Sequence, residues 1–130
     1  MQHLYLSVRP VNFALQLPKF ILSLLFGKAK QNRTYEGLVG AYQTSLSNGG
    51  KAGPSYIPKK VSIEQRQKLI SNLTDLIKSL TQKIEKLSEE ELDKYILPHP
   101  LIGKISIREM LYFTIYHVQH HQKMISENRK

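Results

Sequence analysis

The chain has 130 residues, enough for one hydrophobic core, and we expect a single domain over residues 1–130. It contains no cysteine, which excludes disulfide bonds, thiolate-ligated zinc and a cysteine nucleophile, and which fits a cytoplasmic protein. The net charge of +9 raises the question of an anionic partner. Because the basic residues are spread along the chain and are not interleaved with aromatic residues, we expect no nucleic-acid partner.

Apolar residues recur with a helical period in every long segment, and no alternating strand pattern is convincing. Residues 2–15 are predicted to form a helix that Pro10 kinks or interrupts. Residues 18–26 are predicted to form a short buried helix or helical turn that Gly27 ends. Its apolar core, FILSLLF, is far shorter than the roughly 20 residues that span a bilayer, so we expect no membrane insertion.

The middle of the chain is predicted to contain a weaker helix at 34–46, which Thr34 caps and Asn48-Gly49-Gly50 ends. A long connection follows at 47–60, and its length suits a crossover between helices.

The clearest predicted helix begins at Ser62, which forms a capping-box pattern with Gln65. Its apolar residues follow a seven-residue repeat, typical of a bundle helix. The repeat comprises Ile63, Ile70, Leu73, Ile77, Leu80, Ile84 and Leu87. A short helix at 88–96 is predicted to follow.

The last predicted helix begins at Ser106, again with a capping-box partner, Glu109, and runs to about Ser126. Its inward face is predicted to hold Met110, Leu111, Phe113, Thr114, His117, Val118, His121 and Ile125. These elements together predict an all-α fold of the four-helix-bundle type.

His117 and His121 are four residues apart, so their Cβ atoms lie about 5–6 Å apart on one face of the last helix. Two imidazoles at this spacing can bind one divalent ion. The alternative is a half-buried pair bonded to backbone, to water or to each other. A metal also needs a third ligand, for which His3 is the candidate, whereas His120 points about 100° away and His99 lies in a loop.

The pattern is not that of a zinc protease, because Val118 stands where H-E-x-x-H requires glutamate. Five hydroxyl side chains are candidate polar groups near the site, although none is a persuasive nucleophile. They are Tyr5, Ser7, Tyr112, Thr114 and Tyr116.

HPLIGKISIREMLYFTIYHVQHHQKMI (99–125) resembles the C-terminal signature of the DinB/YfiT-like metalloenzyme superfamily, including its DUF1569-type branch. In that signature an HP-x-x-G turn leads into a final helix carrying H-x-x-x-H. QHLYLSVRPV (2–11) resembles the second helix of the family, where a histidine supplies the first ligand. Relative to that pattern the chain lacks the first helix, so we expect either a longer parent protein or a second protomer that covers the exposed seam.

The resemblance implies a four-helix bundle with a tri-histidine site for zinc or nickel, whose ligands would be His3, His117 and His121. Some relatives are thiol-dependent transferases or isomerases. The leading expectation is therefore a metal-dependent hydrolase or thiol-dependent transferase that takes a small-molecule substrate, with a low-molecular-weight thiol as a possible cofactor and a homodimer as the assembly. The first alternative is a non-catalytic bundle module that mediates oligomerisation, with structural or vestigial histidines. The second is an anion-binding or nucleic-acid-binding protein driven by its positive charge.

Overall fold

The computed structural model describes residues 2–29, 32–51 and 60–128, except for the side chains of Ile125 and Asn128. These residues form six helices and two short strands. In chain order they are α1 (Gln2–Ala14), α2 (Lys19–Phe26), α3 (Tyr35–Ser47), α4 (Ile63–Glu85), α5 (Glu89–Lys94), β1 (Ile96–His99), β2 (Gly103–Ser106) and α6 (Ile107–Asn128). The described chain is mostly helical, which confirms the predicted fold class. Most of the predicted connection at 47–60 lies outside the described residues.

Both predicted capping boxes form. At the start of α4 the backbone N–H of Gln65 donates to the Ser62 hydroxyl at 3.2 Å, and the Ser62 N–H donates to the Gln65 side chain at 2.8 Å. At the start of α6 the N–H of Glu109 donates to the Ser106 hydroxyl, and the Ser106 N–H donates to the Glu109 carboxylate, both at 3.1 Å. These reciprocal bonds satisfy N–H groups that have no partner within the helix, so they set where α4 and α6 begin.

Two expectations about the N-terminal helices are corrected. Helix α1 continues through Pro10, so of the two predicted effects of this proline the interruption is wrong, and a kink stays a prediction. Helix α2 is not buried as predicted: Leu22 is 2% exposed, but Phe20 and Leu24 are 71% and 80% exposed. None of the helices that the structure describes combines the length and apolar character needed to cross a bilayer.

The hairpin formed by β1 and β2 was not predicted. The strands pair antiparallel, with Leu97 opposite Ile105 and His99 opposite Gly103. Gly103 has a φ of +84°, a backbone conformation that favours glycine, and it allows the chain to turn back. Each strand has only four residues and so shows too little alternation to be recognised in the sequence.

The core lies where α1, α3, the hairpin and α6 meet. Its most deeply buried apolar side chains are Val8, Leu38, Leu97, Ile105 and Ile107. Helix α6 packs against both α1 and α3, and α1 also packs against α4.

The predicted apolar faces of α4 and α6 are covered only in part. Leu80 is buried in the core, whereas Ile63 and Ile70, earlier in the same repeat, are 78% and 44% exposed. Val118 is 38% exposed, so its predicted inward position is wrong, because it follows His117 by about 100° around the helix.

Candidate functional site

A cavity of about 630 Å³ opens between α1, α3, the hairpin and α6. Most of its wall is apolar, and its polar lining includes His3, Ser7, Tyr42, His99, His117 and His121. We call it the histidine cavity. Helix α6 contributes Phe113, His117 and His121 on consecutive turns of one face, and α1 contributes His3 and Ser7.

His117 and His121 converge as their spacing predicts: their Nε2 atoms lie 2.9 Å apart. Two ligands that each lie 2.0–2.1 Å from one ion are separated by about 2.8–3.4 Å at angles of about 90–109°. The same separation suits an N–H···N hydrogen bond between two neutral rings. The two imidazoles therefore have the separation of neighbouring ligands in a metal site. Without a metal, the same separation lets them hydrogen-bond to each other.

His3 lies beside this pair. Its ring stacks on that of His121, with centroids 4.1 Å apart and planes 19° apart, and lies 6.4 Å from the His117 ring. Three imidazoles that are distant in sequence thus share one end of the cavity. Within the described ranges, however, no three histidine, cysteine, aspartate or glutamate side chains have the arrangement of a metal centre. The tri-histidine site therefore stays a prediction.

The electrostatics of the site favour neutral imidazoles. Burial, followed by the charges that His121 and His3 would carry, lowers the pKa of His117 to about 4. Burial also lowers the pKa of His121 and that of His3. A neutral ring keeps a lone pair on one nitrogen, which is the form that binds a metal ion.

His99 occupies the end of β1, where it organises the turn. Its Nδ1 accepts hydrogen bonds from the backbone N–H groups of Leu101 and Ile102, at 3.0 and 3.2 Å. The side chain is 6% exposed, and burial lowers its pKa to about 4. Phe113 lies between this ring and the pair formed by His117 and His121, which we call the metal-candidate pair. The Phe113 and His99 rings are roughly perpendicular with centroids 4.2 Å apart, and Phe113 stacks on His117 at 5.0 Å.

Most of the other predicted polar groups point elsewhere. Thr114 donates to the carbonyl of Met110 in its own helix, and the Tyr116 hydroxyl accepts from Gln43. The Tyr112 ring packs edge-on against Tyr35.

The remaining candidates divide between the cavity and the rest of the surface. His120 stacks on the Tyr116 ring at 5.6 Å rather than lining the cavity. Of the five hydroxyl residues named from the sequence, Ser7 is the one in the described cavity lining, and Tyr5 is not.

The sequence model of the DinB superfamily matches residues 14–125, most of the chain. The chain belongs to the DinB superfamily. The match includes the DinB-like HP-x-x-G turn and both histidines of α6, whereas His3 lies outside it. Neither a curated protein nor a solved structure matches the chain.

Sequence reasoning missed Tyr42 and gave little weight to His99, and this DinB structure places both in the cavity wall. Tyr42 lies on α3, where burial and then the nearby Tyr116 raise its pKa. Its ring contacts Phe113 at 5.0 Å. His99 was given little weight because an isolated loop histidine between Pro98 and Pro100 carries no spacing signal. The turn that buries it becomes visible only once β1 and β2 pair.

Proposed function

We propose that this protein is a metal-dependent enzyme that binds one zinc or nickel ion through His117, His121 and His3 and takes a small-molecule substrate in the histidine cavity. The observation that carries the proposal is the Nε2 pair of His117 and His121, 2.9 Å apart at the wall of the cavity. The cavity volume of about 630 Å³ is typical of small-molecule sites. An ion held here, when bound, lowers the pKa of a water molecule or a thiol, which favours hydrolase or thiol-dependent transferase chemistry in the cytoplasm.

The residues around the site orient the His117 ring and exclude water from the bound substrate. Phe113 stacks on the His117 ring and restricts its rotation, which keeps the Nε2 atom directed at His121. The apolar walls remove water around a bound substrate and so strengthen its polar contacts. The His3 ring stacks on that of His121, with centroids 4.1 Å apart. In this orientation it lies face to face with His121, so its side chain must rotate to act as the third ligand.

Metal binding is tested first on protein purified without a histidine tag. Zinc or nickel at 100 times the dissociation constant would stabilise the fold by about 2.7 kcal/mol, or about 10 °C in Tm for a chain of this size. We expect one ion per chain by elemental analysis, and this stabilisation by calorimetry.

Histidine variants locate the ion. His117→Gln and His121→Gln each should remove most of the metal-dependent stabilisation, and His3→Gln should weaken binding if α1 supplies the third ligand. His120→Gln is the matched control, because it changes the same residue type on the same helix outside the cavity lining. Equal metal binding by His117→Gln and the control would refute the proposed site.

A second candidate, a helical module that forms homo-oligomers, is favoured by exposed apolar side chains. Phe13, Phe20 and Ile63 are 66%, 71% and 78% exposed on α1, α2 and α4. Because the chain carries a net charge of +9, repulsion between copies weakens as salt screens it. We expect more dimer at 0.5 M than at 0.05 M NaCl by analytical ultracentrifugation. A monomer at both salt concentrations would refute this assembly.

A further inference from the structure

His99 presents a polar atom to the histidine cavity that neither the hairpin nor the metal-candidate pair uses. Its Nδ1 accepts two backbone N–H groups, from Leu101 and Ile102. A neutral imidazole has one accepting and one donating nitrogen. Since Nδ1 accepts, Nε2 carries the hydrogen and is a donor.

The surroundings show where this donor points. Of the side-chain nitrogen and oxygen atoms in the described part of the chain, every one that is sealed from solvent has a hydrogen-bond partner. The Nε2 atom of His99 has none among the described residues, so it must reach open space although the side chain is 6% exposed. His99 lines the histidine cavity, and this is the open space beside it.

We propose that the histidine cavity binds an apolar molecule carrying a neutral carbonyl oxygen, and that the Nε2–H of His99 donates a hydrogen bond to that oxygen. The apolar character of the ligand follows from the side chains that line the histidine cavity. The lining that the cavity shares with His99 includes Leu97, Leu101, Met110 and Phe113, which favour a hydrocarbon body.

A neutral acceptor fits this part of the wall better than a carboxylate. Burying a carboxylate among apolar side chains is strongly unfavourable unless a cation pairs with it. His99 itself is held neutral by burial. The ring contacts of His99 are with Phe113 and Tyr42, neither of which is a cation. Lys51, on the segment after α3, is the lysine in the described cavity lining.

The inference rests on the proposed function in one respect: the bound carbonyl compound is a substrate only if His117 and His121, in the same cavity, hold a catalytic metal ion. Binding itself is measured on metal-free full-length protein in the presence of a chelator. The probes are 4-phenylbutan-2-one and butylbenzene, which share one carbon skeleton and differ in the carbonyl oxygen. Chemical-shift titrations followed by NMR give both affinities.

His99→Asn separates the two roles of the ring. The asparagine side-chain oxygen reaches about as far as Nδ1, so it can still accept the turn N–H groups, whereas nothing replaces the Nε2–H donor. A hydrogen bond of ordinary net strength predicts about a tenfold loss of affinity for the ketone. The affinity for butylbenzene should change less than about twofold. Leu46→Trp, which fills the cavity from α3, should weaken both probes.

The wild-type protein provides a second readout that needs no variant. With the ketone, the proton resonance of His99 Nε2–H should move downfield, and with butylbenzene it should not. Equal effects of the two probes, or an equal loss of both in His99→Asn, would mean that this N–H only faces the Phe113 ring, and would overturn the inference. Failure of both probes to bind the wild-type protein would overturn it as well.

The outcomes distinguish this inference from the proposed metal function. Ketone binding that depends on His99 in a protein that takes up no zinc or nickel would refute the metal site and leave the carbonyl site standing. Metal uptake without ketone binding would refute the carbonyl site and leave the metal site standing.

Discussion

His99 gives a prediction about acid stability whose sign follows directly from its burial. Burial lowers the pKa of this imidazole to about 4 in the folded protein, against an ordinary value of about 6.5 in the unfolded chain. Between these two values the unfolded chain binds more protons, so the free energy of unfolding rises with pH. The stabilisation is fully present above pH 6.5 and is lost as the pH falls towards 4.

The magnitude is set by the difference of about 2.5 units between the two pKa values. Each unit corresponds to about 1.36 kcal/mol, so the upper bound from this residue is about 3.4 kcal/mol. Integrated from pH 7 to pH 4.5, the loss is about 2 kcal/mol, because protonation is incomplete at both ends. His117, whose pKa is also lowered to about 4, adds a similar loss in the wild type and in variants of His99, and the charge of His99 is the smallest of the causes that lower that pKa.

The assay compares wild type with His99→Asn by urea denaturation of metal-free protein at pH 7.0, 6.0, 5.0 and 4.5. Asparagine does not titrate, so the gap in unfolding free energy between the two proteins should shrink by about 2 kcal/mol from pH 7.0 to 4.5. A gap that stays constant across this range would refute the claim that His99 is held neutral by burial in the hairpin turn.

The fold makes three further predictions, each measured by chemical denaturation. Leu38→Ala should cost about 3 kcal/mol because the side chain is 1% exposed, whereas Leu24→Ala, at an 80% exposed position, should cost less than about 0.5 kcal/mol. Ser106→Ala should cost about 1–2 kcal/mol, because it removes the cap of α6 from a fully buried position, and a neutral result would contradict the capping role. Lys83→Met should cost about 1–2 kcal/mol, since Lys83 ties α4 to α1 through two hydrogen bonds of 3.0 and 3.1 Å; Lys86→Met is its control, and equal effects would contradict the tie.

The features that the sequence predicted well are those with local causes. The capping boxes at Ser62 and Ser106 depend on residues three apart, and both form. The convergence of His117 and His121 follows from four-residue spacing on a long helix. His3 was named as a candidate third ligand from its residue type and helix, and the resemblance to the DinB pattern supported it, but no local rule brings α1 to α6.

The features that the sequence did not predict depend on contacts between distant segments. The hairpin is stabilised by pairing of two four-residue strands and by the His99 turn, neither of which leaves a periodic signal. The exposure of Phe20 was also missed, because an apolar pattern indicates which face can be buried but not whether the rest of the chain covers it.

The most direct test of the metal proposal is a crystal structure of zinc-loaded, untagged protein with data collected at the zinc absorption edge. We predict one anomalous peak about 2.0–2.1 Å from the Nε2 atoms of His117 and His121, with the His3 ring rotated to supply a third nitrogen. A map with no peak there, in which the two Nε2 atoms still hydrogen-bond to each other at about 2.9 Å as two neutral rings do, would contradict the metal site.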